Sequence, residues 1–283
     1  MVSLSEIYRK TRQIFRDHNI ENADLDARLL VEFFTNTTRT DQILDPARPV
    51  SANELEHIEK AIKKRLEHVP VYRIIGKREF YGIEFSLSED TLEPRDDTEA
   101  LVDLVLPAID LMAHQKKVHL LDMGTGTGAI AIALLANTDN TEAIAIDISD
   151  NALVTATINA QNAGVGARFK PCQSNWFDTV QGQFDVILSN PPYIPHADIS
   201  SLAREVREHD PLRALDGGID GLDFYRMLAS QSIKFLKPDG IVAVEIGQGQ
   251  EGDVSKLFLQ NGFRQIEARK DLSGILRALM FSL

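Results

Sequence analysis

Along the first 70 residues apolar side chains recur at three- and four-residue intervals: Leu4, Ile7, Tyr8, Ile14 and Phe15, then Leu25, Leu29, Leu30, Phe33 and Phe34, then Leu55, Ile58, Ile62 and Leu66. That period places each set on one face of a helix. Ser51 followed by Glu54 forms a capping box, which opens the helix through Leu66. Short loops between such segments predict a small helical bundle over residues 1–70, and Pro70 closes it. The pattern then changes. Val71 to Gly76 and Arg78 to Phe85 are β-branched and aromatic around Gly76 and Gly82. They predict a hairpin linking two domains within 71–93. Pro94-Arg95-Asp96-Asp97-Thr98-Glu99 leads into a helix through Leu101, Leu104, Val105 and Ile109, with acidic residues in its first turn, where the helix dipole favours them. From Val118 onward, short apolar runs alternate with helical stretches. The runs are Val118 to Asp122, Ala143 to Asp147, Ala167 to Pro171, Phe184 to Asn190 and Gly240 to Ile246. The helices are Ala129 to Ala136, Asn151 to Asn162, Leu222 to Phe235 and Val254 to Leu259. Such alternation predicts an α/β domain with a parallel sheet over residues 94–283. The apolar end, Ile275 to Leu283, predicts a late strand of antiparallel sense.

Candidate chemistry sits where these predicted strands stop. The run from Phe184 ends in Asn190-Pro191-Pro192-Tyr193. Neither proline has an N–H to continue a ladder, and the residue before a proline is pushed to extended geometry. The Asn190 side chain and the Pro191 carbonyl are then two rigid acceptors beside the Tyr193 ring. They suit a planar NH2 guest; a plain turn after a buried strand is the other reading. Val118 to Asp122 leads into Gly124-Thr125-Gly126-Thr127-Gly128, whose glycines admit close backbone approach by a ligand. The helix start behind that loop offers N–H groups to an anion. Asp147 ends the second strand, and an ionised carboxylate can accept both hydroxyls of a ribose. This half of the pattern serves NAD and S-adenosylmethionine alike, but the glycine spacing departs from the dinucleotide fingerprint. After the third strand, Trp176 is placed to pack an adenine face and Asn175 to bond its edge; a lone tryptophan equally suits a core.

Charge and composition narrow the partners. The net charge is −12, and residues 1–90 hold 14 basic and 16 acidic residues, leaving 16 basic and 26 acidic in the remainder. The half with the candidate site therefore lacks a broad basic field for a nucleic-acid backbone. Lys60, Lys63, Lys64 and Arg65 form a basic cluster that suits either a solvated helix face or an acidic partner. No run of eighteen apolar residues predicts a membrane span. Met1 to Glu6 lacks the regions of a secretory signal. Cys172 is the only cysteine and is expected as a buried small hydrophobe. A reducing cytoplasm and a monomer are the expectations. One cysteine and seven scattered histidines have no ligand spacing, so no metal is expected.

On its motifs the sequence resembles the HemK/PrmC family of protein-glutamine methyltransferases. The residues carrying the resemblance are Gly76 to Gly82, Pro94 to Glu99, Asp122 to Gly128, Asn190 to Ile194, Ala214 to Leu222 and Asp271 to Gly274, in family order over 70–283. The resemblance implies a class I, Rossmann-like methyltransferase sheet with a helical N-terminal domain. It implies methyl transfer from S-adenosylmethionine to the side-chain amide of a glutamine, with the Gly-Gly-Gln motif of class I peptide-chain release factors as substrate. A sister branch acts on a large-subunit ribosomal protein. Asp122, Gly124, Thr125, Gly126, Thr127, Gly128, Asp147, Asn175, Trp176 and Asn190 are then expected around the cofactor. Asn190, Pro191, Pro192 and Tyr193 are expected at the substrate. Adenine amino-group methylation and a non-catalytic cofactor-binding module are the rival readings.

Overall fold

A computed structural model describes residues 2–283. The chain divides into two compact units, one ending at Gly76 and one running from Lys77 to Leu283.

The first unit is helical: α1 Leu4–Asp17, α2 Ala23–Thr35, α3 Arg39–Leu44, α4 Ala52–Leu66 and α5 Val71–Ile75. Reciprocal capping boxes open three of them, Ser3 with Glu6, Thr38 with Asp41 and Ser51 with Glu54. Its core is Leu4, Ile7, Phe15, Leu30, Val31, Ile58 and their neighbours. Two expectations change here. Arg65 does not belong to the solvated basic cluster: it is buried and pairs with buried Asp26 at 2.6 Å. Val71 to Gly76 is not the first arm of a hairpin. Pro70 caps it, it coils as α5, and Gly76 at φ 82° ends it. Val71, Ile74 and Ile75 follow helical spacing and pack onto the first unit's core, so burial overrides their β-propensity.

In the second unit β1 Lys77–Phe80 and β2 Ile83–Ser86 form the hairpin. Its turn is Tyr81-Gly82, both at positive φ as tight hairpin turns require. Phe80 and Phe85 are buried in the same core as the following helix. The remainder is α6 Glu99–Ala113, β3 Val118–Met123, α7 Ala129–Ala136, β4 Thr141–Asp147, α8 Asp150–Asn162, β5 Phe169–Gln173, β6 Phe184–Ser189, α9 Arg204–His209, α10 Asp223–Phe235, β7 Leu236–Glu245, α11 Glu251–Gln260, β8 Arg264–Lys270 and β9 Leu276–Ser282. One sheet has the order β5-β4-β3-β6-β7-β9-β8. The first five strands in that order are parallel; β9 runs against them between β7 and β8, and β8, antiparallel to β9, returns to their sense. Alternate side chains feed two cores. Val118 and Leu120 of β3 join α6, α7 and α8 on one face, while Leu121 and Met123 join α10 and α11 on the other. The order reverses between β3 and β6, the switch point at which open α/β sheets bind ligands. Buried Asn159 of α8 fixes the loops there. Its amide donates to the carbonyls of Thr127 and Ser86 and accepts from the Ser86 N–H, tying the glycine loop to the hairpin.

Candidate active site

The carboxyl ends of β3, β4, β5 and β6 surround a cavity of about 270 Å³. Gly124, Thr125, Gly126, Thr127, Asp147, Asn175, Trp176, Asn190 and Pro192 all line it. The glycine loop needs its glycines for two reasons. Gly124, Gly126 and Gly128 all have positive φ, where a side chain is strained. A Cβ on Gly128 would also lie 2.7 Å from Ile132 Cδ1 and 3.3 Å from Ala156 Cβ. The third glycine therefore lets α7 pack against α8.

Two carboxylates brace the loop. Asp147 Oδ1 accepts from the Ser149 N–H and Oδ2 from the Gly126 N–H, each at 2.9 Å. Burial pushes its pKa up, and those amides pull the other way. Each oxygen keeps a further lone pair for a hydroxyl guest. Asp122 does not line the cavity. It is buried behind the loop, where Oδ2 accepts from Thr125 Oγ1 at 2.6 Å. Its other oxygen has no hydrogen-bond partner among the described residues, and burial raises its carboxyl to about 6. Gly128, Pro191 and Tyr193 are not among the residues that line the cavity; Pro191 and Tyr193 follow Asn190 directly along the chain. Trp176 is half-buried: it packs on the second core and also lines the cavity, with Phe224 of α10 at 4.6 Å between ring centres. Asn175 is exposed and donates to Asp178 at 3.2 Å. Cys172 is half-buried rather than buried, with Thr179 Oγ1 3.8 Å from its sulfur.

Asn190 follows β6, and its Nδ2 donates to the buried Thr98 Oγ1 at 3.2 Å. Oδ1 is therefore the end turned away from Thr98. Behind this pair lies Glu245, the last residue of β7 and 2% exposed. Burial raises its carboxyl to about 7, opposed first by hydrogen bonding from Thr98, then by the Arg277 charge and the Asn190 amide. Burial, with the Glu245 charge adding to it, lifts the Tyr193 phenol to about 12. The main chain after Pro192 is clasped by 214–222. Ile194 N–H donates to Leu215 O, Gly217 N–H to Ile194 O and His196 N–H to Gly218 O, at 2.8–3.0 Å. Gly217 has no room for a side chain: Tyr193 Cα and Gly221 Cα would lie 2.8 Å from its Cβ.

The segment 94–99 is the hub of the ionic contacts. Arg95 pairs with buried Asp210 at 2.6 Å, and Asp96 with Arg78 of the hairpin at 2.7 Å. Arg78 also holds buried Glu93 at 2.5 Å. Asp97 pairs with Arg277 of β9 at 2.6 Å, and Arg277 with Asp271 at 2.9 Å. Stretches far apart in sequence thus lock onto the ground beneath Asn190. Sequence reasoning did not find Thr98, Phe224 or Glu245 as site residues. For Glu245 there was a signal, a carboxylate closing an otherwise apolar strand. Among the described residues no group of histidine, cysteine, aspartate or glutamate has the arrangement of a metal site, and no helix is long and apolar enough to cross a membrane.

Comparison with known proteins agrees with this layout. Residues 6–76 match the PrmC N-terminal domain and residues 101–209 the methyltransferase small domain. The chain is 46% identical to the release factor glutamine methyltransferase of Agrobacterium fabrum, over 91% of this chain and 89% of that protein. It is 42% identical to the release factor glutamine methyltransferase of Rhodospirillum rubrum, over 92% of this chain and 79% of that one. Among solved structures, the hMettl16 catalytic domain in complex with MAT2A 3'UTR hairpin 6 superposes with a TM-score of 0.56 at 14% identity, covering 78% of this chain and 81% of that one. That likeness is one of fold.

Proposed function

The chain belongs to the release factor glutamine methyltransferases, the HemK/PrmC family, and on that premise we propose that it methylates the side-chain amide nitrogen of the glutamine in the Gly-Gly-Gln motif of class I release factors, using S-adenosylmethionine. The observation that carries the reading is the orientation of Asn190. Its Nδ2 is engaged by Thr98, which leaves Oδ1 as an acceptor on the wall of a cavity shared with the glycine loop and Asp147.

The residues present fit the cofactor. Asp147 would accept from ribose hydroxyls, Trp176 and Phe224 would flank the adenine, Asn175 would reach its edge, and the Gly124–Gly128 loop would meet the polar tail. When bound, S-adenosylmethionine supplies an electrophilic methyl on sulfonium sulfur. An amide nitrogen is a poor nucleophile, because its lone pair is delocalised into the carbonyl. Placement is therefore the chain's main contribution, and good placement lowers such barriers by roughly 7–11 kcal/mol. Asn190 Oδ1 and the Pro191 carbonyl accept the two amide hydrogens, meeting the positive charge that develops on nitrogen with fixed dipoles. Tyr193 covers the amide plane, and its raised pKa keeps the phenol neutral. The proton leaves to water, because an N-protonated amide is strongly acidic, and no general base is assigned. The acidic balance of the second unit speaks against a nucleic-acid substrate.

The test is methyl transfer from labelled donor to release factor, ribosomal protein or DNA, with the label located by mass spectrometry. Label on the glutamine of Gly-Gly-Gln is expected. Asn190→Ala should abolish turnover while cofactor still binds. Label on adenine, or an Asn190→Ala enzyme at the wild-type rate, overturns the reading.

A further inference from the structure

We propose that Ile219 and Leu272 dock the protein substrate: they are rigid apolar tips at the rim of the site, and they take an apolar surface of the release factor beside its Gly-Gly-Gln segment. This rests on the function proposed above and names how that substrate is held outside the Asn190 clamp.

Ile219 is 92% exposed and Leu272 fully exposed, more than any other large apolar side chain among the described residues. A single exposed apolar side chain is ordinary on a protein surface. These two share a place. The turn 271–275 joins β8 to β9. The register of β9 on β7, Glu245 beside Ala278, puts that turn at the carboxyl edge of the parallel strands. The cavity opens at the same edge. Arg277, at the foot of the turn, pairs with Asp271 at 2.9 Å and with Asp97 at 2.6 Å. Asp97 adjoins Thr98, which lines the cavity. Ile219 stands on the loop 215–222, which hydrogen bonds to the main chain after Tyr193. Ala214 and Phe224, on either side of that loop, line the cavity as well. Both tips therefore stand at the rim that a polypeptide crosses to bring a glutamine to Asn190.

The turns beneath them are braced. Asp271 Oδ1 accepts from the Ser273 and Ile275 N–H groups at 2.8 and 2.9 Å, and the Gly274 N–H donates to the Asp271 carbonyl at 3.0 Å. Asp216 Oδ1 accepts from the Gly218 N–H at 3.0 Å, and Asp220 Oδ1 from the Leu222 N–H at 3.2 Å. Gln250 Nε2 donates to the carbonyls of Tyr193 at 2.9 Å and Gly221 at 3.4 Å, which ties the loop to the clamp. The polar groups of each turn are thus engaged while its apolar side chain stays in water. Burying such side chains gains nothing in the free chain and is favourable on association. Side chains on an ordered backbone also lose less freedom when a partner settles on them. Neither tip offers a donor to a phosphate backbone, so the surface that they fit is apolar protein.

The test measures kcat and KM of the full-length chain on full-length release factor, and its affinity for S-adenosylmethionine by calorimetry. Leu272→Ser and Ile219→Ser should each raise the release-factor KM about tenfold. The double variant should raise it about a hundredfold, because separate contacts add. kcat and cofactor affinity should stay within about twofold, as expected when binding alone is lost. Leu272→Met should recover most of the affinity. Leu111→Ser is the control: Leu111 is exposed in the last turn of α6, which leads to the amino end of β3, the opposite edge of the sheet. A purely structural role would show instead as a lowered melting temperature and weaker cofactor binding. Wild-type KM in both single variants, an equal rise in Leu111→Ser, or a loss carried by kcat overturns the inference. A wild-type enzyme that labels no release factor overturns the proposed function instead, so the two failures are told apart.

Discussion

The clasp around the Tyr193 main chain makes a sharp prediction at Gly217. Its φ is not in the left-handed region, so alanine there carries no backbone strain and the effect is purely steric. An added Cβ would meet Gly221 Cα and Tyr193 Cα at 2.8 Å and the Pro192 carbonyl oxygen at 2.9 Å. All three are backbone, with no flexible side chain to yield. To restore ordinary contact at 3.4 Å they must retreat by about 0.5–0.6 Å. Overpacking of this kind costs about 1–3 kcal/mol, well short of unfolding most domains. The functional cost is larger. The displaced atoms belong to the substrate clamp, and a misplacement near 1 Å can lower a rate by about a hundredfold. Gly217→Ala should therefore lose about 10–100-fold in kcat for release factor. Cofactor affinity should stay near wild type, because Gly217 does not line the cavity. The assay pairs steady-state methylation with calorimetric titration of S-adenosylmethionine. Gly252→Ala is the control: nothing lies within 4 Å of its Cβ position, and φ is ordinary. If Gly217→Ala turns over like wild type, or if it loses cofactor affinity in step with kcat, the account of the clasp is wrong.

Asp147→Ala removes an acceptor and also releases the Gly126 and Ser149 amides. Calorimetry should show cofactor affinity weakened by about 2–3 kcal/mol, with the fold retained by circular dichroism. Asp122 is buried and its carboxyl is raised from 3.8 to about 6, so the folded protein holds that proton more tightly than the unfolded chain. Its contribution to stability is full below 3.8 and lost as the pH rises through about 6. Asp122→Asn should thus gain on wild type across that window by on the order of 3 kcal/mol in urea unfolding; a difference independent of pH would count against it. Arg65→Met removes the buried cation paired with Asp26 at 2.6 Å and should destabilise the first unit by about 3–5 kcal/mol, read as a lowered urea midpoint of the helical signal at neutral pH.

What could be read from the chain, and what could not, follows the physics of each segment. Asn190, the glycine loop and Asp147 were legible because strand ends, prolines and glycines are local facts with one geometric consequence each. The segment Val71 to Ile75 was misread because its residues suit a strand by propensity and a helix by spacing. Only the neighbouring core, which buries Val71 and packs Ile74 and Ile75, decides between them. Strand β8 left no trace. Arg264–Lys270 is almost wholly exposed, lacks alternation and exists through its ladder with β9, and an edge partner is not written in the residues that it covers. The site residues that escaped are of the same kind. Thr98 sits 92 positions from the Asn190 that it orients. Glu245 reads alone as a charge at the end of a buried strand, and its chemistry appears only when the sheet sets β6 beside β7. The signature Pro94 to Glu99 shows why such motifs resist reading from one element alone. Arg95, Asp96, Asp97 and Thr98 each reach a different stretch, Asp210, Arg78, Arg277 and Asn190. A motif of that sort encodes a junction rather than an element, so its spacing follows the tertiary packing that it joins.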